Sequence, residues 1–312
     1  MLPERDIETR DWQSVWSAPA KLNLFLHVIG RRADGYHLLQ TLFRFLDYGD
    51  SLQFSPRADA RITRAHPLPD VPPEHDLCVR AARLLQRESG CGQGAHITLE
   101  KRIPLGGGLG GGSSDAATTL IALNHLWRLH WPRHHLQKMA LQLGADVPAF
   151  VFGRNAFAEG VGEQLTPVDL PDVCYLLVFP PVAVPTARIF AHPDLRRDTP
   201  RMLPADWRPD CGHNDLEPIA CALYPQIAES LALLRQYAPN SRMSGSGATL
   251  FAECPDQSAA TALAEKLPLR TAIALATRKT FRQESTSPLP AAKTHRSCSC
   301  RFYAPCKPTS PP

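Results

Sequence analysis

PLGGGLGGGSSDAA (residues 104–117) places six glycines in seven consecutive positions and runs directly into helix-forming residues. Glycine adopts positive φ at no steric cost and lets another group approach where a Cβ would stand in the way. A helix that starts immediately afterwards adds unpaired N–H donors and the positive end of its dipole. The segment therefore reads as a loop that brings main-chain amides against an anion, with phosphate the natural occupant. The rest of the sequence decides which phosphate compound that is.

Three phosphate loops compete. A Walker A loop closes on a lysine, as G-x-x-x-x-G-K-[ST]; here Ser113 follows the last glycine and no lysine comes before Lys138. A dinucleotide loop needs G-x-G-x-x-G, which Gly106, Gly108 and Gly111 satisfy, and a carboxylate about 20 residues on for the ribose. Residues 116–145 contain no Asp or Glu, and the preceding HITLEKRI is polar for a strand buried on both faces. There remains the glycine-serine loop of a non-Walker small-molecule kinase. In that loop backbone amides hold ATP, Ser113 and Ser114 approach Mg²⁺ or phosphate oxygens, and a lysine comes from elsewhere. The bland alternative is a structural glycine turn. Asp115, early in the helix, would repel a phosphate, so it either points away or has a metal ion beside it.

Outward from the loop, residues 96–103 alternate Ile97, Leu99 and Lys101 as a strand feeding the glycines. Residues 114–129 form an amphipathic helix with Ala116, Leu120, Leu123 and Trp127 on one side, and 134–143 a second helix closed by Gly144 at C′. Asp146 is placed like an N-cap before Val147-Pro148. Upstream, residues 16–28 alternate as a strand, with Leu22, Leu24, Leu26 and Val28 on one face and Lys21, Asn23, Phe25 and His27 on the other. GRRADG (30–35) turns the chain, residues 36–46 return as a partner strand, and 51–54 is a third strand. Residues 77–87 are helical. Downstream come a strand at 174–179, a helix around 219–237 and the loop RMSGSG (242–247) before a buried strand at 248–252. A helix at 259–267 and a strand at 271–276 follow. This mixed order, without strict βαβ alternation, argues α+β with antiparallel sheets.

The 312 residues suit two packed domains. With 44% hydrophobic and 21% charged residues the core material is ordinary, and a net charge of +4 is too mild to make nucleic acid the partner. The longest uncharged apolar-rich stretch, residues 173–187, is 15 residues long and interrupted by Pro180, Pro181 and Pro185, too short and broken to span a bilayer. MLPERDIETRDW at the start has no apolar secretory core, so a cytoplasmic protein with nine reduced cysteines is expected. From residue 285 onward Pro, Ser, Thr and Lys dominate without apolar periodicity, the composition of a disordered tail. Its Cys298, Cys300, Cys306 and His295 match no zinc spacing. His130, His134 and His135 lie on a polar helix face and end, and read as solvated.

Three blocks in order resemble the three motifs of the GHMP kinase superfamily: PAKLNLFLHVIGRRADGYHLLQTLF (19–43), PLGGGLGGGSSDAA (104–117) and SRMSGSGATLFA (241–252). With LGADVPAFVFG (143–153) and AFAEGVGE (156–163) the likeness covers most of residues 16–255. PAKLNLFL, DGYH and LGADVP together resemble the branch that acts on a cytidyl-linked polyol. The resemblance implies an α+β, two-domain GHMP kinase fold. An N-terminal ribosomal-S5-like α/β domain covers residues 1–165, a C-terminal ferredoxin-like domain covers 166–284, and the active site lies in the cleft, leaving 285–312 as the tail. It implies ATP-dependent phosphorylation of the 2-hydroxyl of a cytidyl-linked methylerythritol in the non-mevalonate isoprenoid route. ATP is then the co-substrate and Mg²⁺ its ion, with no nucleic-acid or membrane partner, in a monomer or weak dimer.

The resemblance also implies individual roles. Lys21 and Asp146 match the catalytic pair. Pro104, Leu105, Gly106, Gly107, Gly108, Leu109, Gly110, Gly111, Gly112, Ser113 and Ser114 match the ATP-phosphate loop, with Lys101 just ahead of it. Tyr36 and His37 match a cytosine-recognising pair, and Phe190 a second stacking aromatic. Asn23 and Thr186 match positions lining the polyol, joined by Gly245. No metal ligand is assigned. Asp76-Leu77 stands where the family carries Asn-Leu near the adenine, and the family's closing segment is barely kept in residues 274–289.

Phosphoryl transfer needs positioning, charge neutralisation and a group to receive the alcohol's proton. A crowded tertiary hydroxyl has a high pKa, so a carboxylate within hydrogen-bond reach is the expected acceptor. Asp146 is the only acid between residues 116 and 157. A plain helix cap is the competing role, and the two are compatible. Most strand lysines like Lys21 are solvated. Paired with Asn23 on one face, however, its ammonium would hold Asp146 ionised and stabilise charge on the transferring group. Tyr36 and His37 fit equally well as residues packed at a hairpin end. Another GHMP-type kinase, for homoserine, mevalonate or galactose, stays open, as does a non-catalytic nucleotide-binding protein on the same fold. DGYH favours the cytidyl substrate, and the retained Lys21 and Asp146 favour catalysis.

Overall fold

A long antiparallel ribbon carries the molecule: β1 (Trp16–Arg31) turns through Asp34 and Gly35 into β2 (His37–Arg57). Gly35 takes a φ of 90° and the Asp34 carboxylate accepts from the Tyr36 amide at 3.2 Å, the turn chemistry expected of Asp-Gly. The computed structural model describes residues 10–68, 71–208 and 211–277. The tail from residue 285, with Cys298, Cys300, Cys306 and His295, lies outside the described residues.

The remaining elements are β3 (Ile62–Arg64), α1 (Leu77–Ser89), β4 (Gly94–Glu100), α2 (Gly111–Leu126), α3 (Arg133–Ala140) and α4 (Val147–Phe152). They are followed by β5 (Ala156–Glu159), β6 (Gln164–Pro167), β7 (Cys174–Phe179), α5 (Thr186–Phe190), α6 (Glu217–Leu223) and α7 (Pro225–Tyr237). β8 (Arg242–Met243), β9 (Leu250–Cys254), α8 (Gln257–Ala264) and β10 (Arg270–Thr277) complete the series. Among the described residues ten strands form a sheet in the order β3-β4-β2-β10-β7-β9-β8, with β1 and β5 also on β2 and β6 on β5. Its ladders are antiparallel except for β3 with β4, in keeping with the α+β expectation.

Several local expectations are corrected. Residues 51–54 are not a separate strand but the far end of β2, because Gly49 and Asp50 stay paired with Pro19 and Ala18 across a register shift rather than turning. Three register shifts in β1, after Pro19, Asn23 and Val28, break its simple alternation, and both of its faces are buried. α2 is not amphipathic: Ser114 through Leu123 are buried all round, and it stops before Arg128 and His130, which take φ of 55° and 54°. Gly144 does not close α3, whose end tightens instead through i→i+3 bonds from Gln142 to Met139 and from Leu143 to Ala140. The helix expected around 219–237 is two, broken at Tyr224 because the residue before Pro225 is pushed out of the α region.

Apolar packing sits on both sides of the sheet. α1, α2 and α4 bury Leu85, Leu120 and Phe150 against Leu52, Phe54 and Ile97. α6 and α7 bury Ile219, Ile227 and Leu231 against Leu176 and Leu250. A third cluster joins Leu22, Phe25 and Leu42 of the ribbon to Leu177 and Phe251. Each such side chain contributes about 1.5–3 kcal/mol. No helix among the described residues is long and apolar enough to cross a membrane.

Candidate active site

β4 delivers the chain to the glycine loop and α2 carries it away. Gly106, Gly108 and Gly110 take φ of 66°, 73° and 71°. At Gly108 a Cβ would stand 2.2 Å from the Ser244 carbonyl oxygen, and at Gly110 2.8 Å from the Phe150 ring, so both positions need glycine for shape as well as dihedral. Four successive carbonyls turn into the protein. Gly106 accepts from the Val184 amide at 3.5 Å, Gly107 from the Thr249 amide at 3.1 Å and Leu109 from the Lys21 amide at 3.0 Å. Gly108 accepts from Lys21 Nζ and Ser244 Oγ, both at 3.2 Å. Among the described residues the amides of 108–113 make no hydrogen bond within the protein, which leaves a run of donors at the start of α2 for an anion.

These amides border a cavity of about 410 Å³, which Lys21, Asn23, Lys101, Asp146, Thr186, Phe190 and Gly245 also line. Residues 104–113 all face it, but Ser114 does not. Ser114 is buried, and its hydroxyl donates to the Pro19 carbonyl at 2.7 Å. A larger cavity of about 770 Å³, between α7, β9 and α8, contains none of the expected site residues.

β1 brings Lys21 under the loop. Its ammonium is buried, donates to Asn23 Oδ1 and to the Gly108 carbonyl, and lies 3.5 Å from Asp146 Oδ2. The Phe43 ring sits 5.5 Å away, on its apolar side. Asn23 is fixed in turn: its amide donates to Ser244 Oγ at 3.1 Å and its Nδ2 to Thr41 Oγ1 at 2.8 Å. Asp146 occupies the N-cap position of α4, yet its side chain makes no cap hydrogen bond. Its carboxylate, 37% exposed, is turned to the cavity and to Lys21, so the plain cap role is not the one this fold uses.

A second ammonium lies on the other side of the loop. Lys101 Nζ bonds Asp50 Oδ2 and, at 2.9 Å, Asp115 Oδ2. Asp50 Oδ1 also accepts the Arg102 and Ile103 amides at 2.6 and 2.8 Å. Asp115 thus points away from the loop, which answers the charge conflict of a carboxylate so near the amides. Its Oδ1 is buried without a partner. Burial pushes its carboxyl up to about 7, against the pull of Lys101 and with the help of Asp50. Burial also works against the Lys101 ammonium, but Asp115 and Asp50 outweigh it and hold its pKa above the usual value. Asp76, in the family's asparagine position, caps α1 by accepting the Cys78 and Val79 amides at 2.8 and 3.3 Å. It also pairs with Arg64 Nη1 at 2.9 Å.

At the far end of the cavity Thr186 Oγ1 and Ser246 Oγ share a hydrogen bond of 2.7 Å. Phe190 packs on His37 with ring centroids 5.0 Å apart. Tyr36 is 62% exposed, and neither it nor His37 lines the cavity itself; His37 extends the wall beyond Phe190, and among the described residues no contact joins Tyr36 to it. Thr41 on the cavity, and Asp50, Ser244 and Arg197 behind it, were not singled out from sequence, whereas the loop at 242–247 was. In that loop Ser246 carried a local signal, its flanking glycines.

Two family profiles match the chain: "GHMP kinases N terminal domain" over residues 76–154 and "GHMP kinases C terminal" over 200–272. A protein of Dechloromonas aromatica named 4-diphosphocytidyl-2-C-methyl-D-erythritol kinase is 58% identical over 254 residues, 81% of this chain and 93% of its own length. A crystal structure of 4-(cytidine 5'-diphospho)-2C-methyl-D-erythritol kinase superposes with a TM-score of 0.73 at 37% identity, covering 84% of this chain and 99% of that one. Homoserine kinase from Cytophaga hutchinsonii, at 16% identity and a TM-score of 0.64 over 85% of this chain and 94% of its own, shares the fold. The chain belongs to the GHMP kinase family.

Proposed function

We propose that this kinase transfers the γ-phosphoryl group of ATP to the 2-hydroxyl of 4-diphosphocytidyl-2-C-methyl-D-erythritol, in the cytoplasm, on the non-mevalonate route to isoprenoid precursors. The observation that carries the reading is the approach of Lys21 Nζ to Asp146 Oδ2, at 3.5 Å, beside a run of unengaged main-chain amides. The relatives' name supplies the substrate, and the wall formed by His37 and Phe190, with Tyr36 next to it in the chain, suits a flat base.

In this reading the amides of 108–113 and the α2 dipole hold the nucleotide phosphates. Lys21 is pinned by Asn23 and the Gly108 carbonyl, so its charge stays in place while charge spreads over the transferring group. Asp146, partly exposed and 3.5 Å from the Lys21 ammonium, accepts the proton of the attacking hydroxyl. Thr186, Asn23 and Gly245 border the polyol. Lys101 contributes positive charge at the base of the loop, restrained by its two carboxylates.

The donor set also fits Mg²⁺. Among the described residues no cluster of three or more His, Cys, Asp or Glu side chains forms a dedicated metal cage. A magnesium ion is usually held by one or two protein oxygens plus substrate phosphates. The Ser113 hydroxyl and the Asp146 carboxylate, both on the cavity, are hard oxygen donors of that kind. When bound, the ion would neutralise phosphate charge.

The test is ADP release by the purified protein with Mg²⁺ and ATP, offered the cytidyl-polyol, mevalonate, homoserine or galactose. Turnover with the cytidyl compound alone is expected. Turnover with only one of the others would replace the substrate, and nucleotide binding without turnover on any would favour a non-catalytic role.

A further inference from the structure

His37 opens β2 and stacks against Phe190, and beneath the pair lies Arg197. Arg197 Nε donates to His37 Nε2 at 3.1 Å. Its other donors are all engaged: Nη1 with the Pro193 and Leu195 carbonyls at 3.3 and 2.8 Å, Nη2 with the Phe190 and His192 carbonyls at 3.1 and 2.8 Å. A guanidinium has five N–H donors, no acceptor, and does not lose its proton in proteins. Its Nε–H can therefore only donate, and His37 Nε2 must present a lone pair. A neutral imidazole that accepts at Nε2 carries its proton on Nδ1. Charge agrees with geometry. The ionic groups acting on the ring are Arg197 and Arg31, both cations, and burial followed by these two holds the His37 pKa below the usual value.

We propose that Arg197 is a positioning residue that fixes His37 as the neutral, Nδ1-protonated tautomer, so that the base-binding wall offers a hydrogen-bond donor. The proposal rests on the reading of Tyr36, His37 and Phe190 as the base end of the substrate site. Because Nη2 also grips the Phe190 carbonyl, one side chain sets the chemistry of one wall and the position of the other. A fixed donor matches the acceptor edge of cytosine, N3 and O2. The N3–H of uracil is repelled by it, so the same contact would discriminate against a uridyl counterpart.

Two measurements test this. The first is the tautomer in the substrate-free wild-type protein, read by long-range ¹H–¹⁵N correlation with His37 assigned from the signals missing in His37→Gln. Nδ1 should carry the proton; a proton on Nε2 would overturn the proposal outright, whatever the variants do. The second uses Arg197→Met. His37 should then revert to the ordinarily preferred Nε2–H form, and KM for the cytidyl-polyol should rise about tenfold at about pH 8. kcat and the KM for ATP should stay within about twofold. The KM defect should shrink towards about pH 6, where the imidazolium again donates from Nδ1, whereas the wild type changes little. A folded variant with an unchanged tautomer, or with a KM defect independent of pH, would overturn the role. Should the variant not fold, the wild-type tautomer decides. Failure of the protein to turn over the cytidyl substrate would remove the functional reading while leaving the tautomer result standing, so the two failures are distinguishable.

Discussion

Two lysines flank the glycine loop, and their carboxylates differ more than they do. Lys21 faces a single carboxylate at 3.5 Å that is itself 37% exposed. Lys101 is clamped between two carboxylates that are almost wholly buried. The first pair leaves its acid free to meet an incoming hydroxyl. The second closes off its acids, so that only the ammonium borders the cavity, and its excess negative charge is met by raising one acid's pKa. A buried ammonium with an accessible acid suits the chemistry proposed above; one held by two inaccessible acids keeps the loop in shape.

The largest expected effect breaks the open pair. Lys21→Met and Asp146→Asn should each lower kcat by about two to four orders of magnitude with thermal unfolding nearly unchanged. Steady-state kinetics beside a melting curve check this, and near-wild-type turnover in either variant would put the chemistry elsewhere. Opening the closed cluster should act the other way round. Lys101→Met leaves Asp50 and Asp115 facing each other in a buried site, which should cost about 3–5 kcal/mol of stability in urea unfolding. The surviving enzyme should lose affinity for ATP before it loses kcat. A variant as stable as the wild type would contradict the closed arrangement.

The smallest effect sharpens the contrast. Asp115→Asn removes a carboxyl whose folded pKa is raised to about 7. Between the ordinary carboxylate range and that value the folded state binds more protons than the unfolded chain, so this group's contribution to stability declines as pH rises. It is complete below about pH 4 and gone above the raised value. The variant should therefore gain on the wild type between about pH 5 and pH 8 in paired urea titrations, with activity within about twofold. A constant difference across that range would mean the carboxyl titrates normally.

Much of the fold was legible because its signals are local. The Asp-Gly turn, the glycine run and the strand at Cys174–Phe179 each follow from residues within a few positions of one another. The length of β2 was not legible, because DYGD (47–50) has the composition of a turn. Gly49 is there for a different reason: a Cβ on it would come 2.8 Å from the Pro19 Cα on the neighbouring strand. In the site, Lys21 and Asp146 were paired through family likeness, not spacing. The closed cluster escaped notice because Lys101 and Asp50 are 51 positions apart and no periodicity links them. Arg197 was invisible for the same reason, lying 160 positions from the ring whose proton it directs.

The inward-turned carbonyls of the glycine loop have a consequence for biosynthesis. Their donors include Val184, Ser244 and Thr249, the last of which follows the loop by about 140 residues. A nascent chain that has just exposed its glycines has Lys21 to hold the Gly108 and Leu109 carbonyls, but not yet the partners of Gly106 and Gly107. In the proposed reading, full nucleotide affinity therefore arrives late, when the β8–β9 hairpin has emerged, and a prematurely terminated polypeptide would hold ATP poorly.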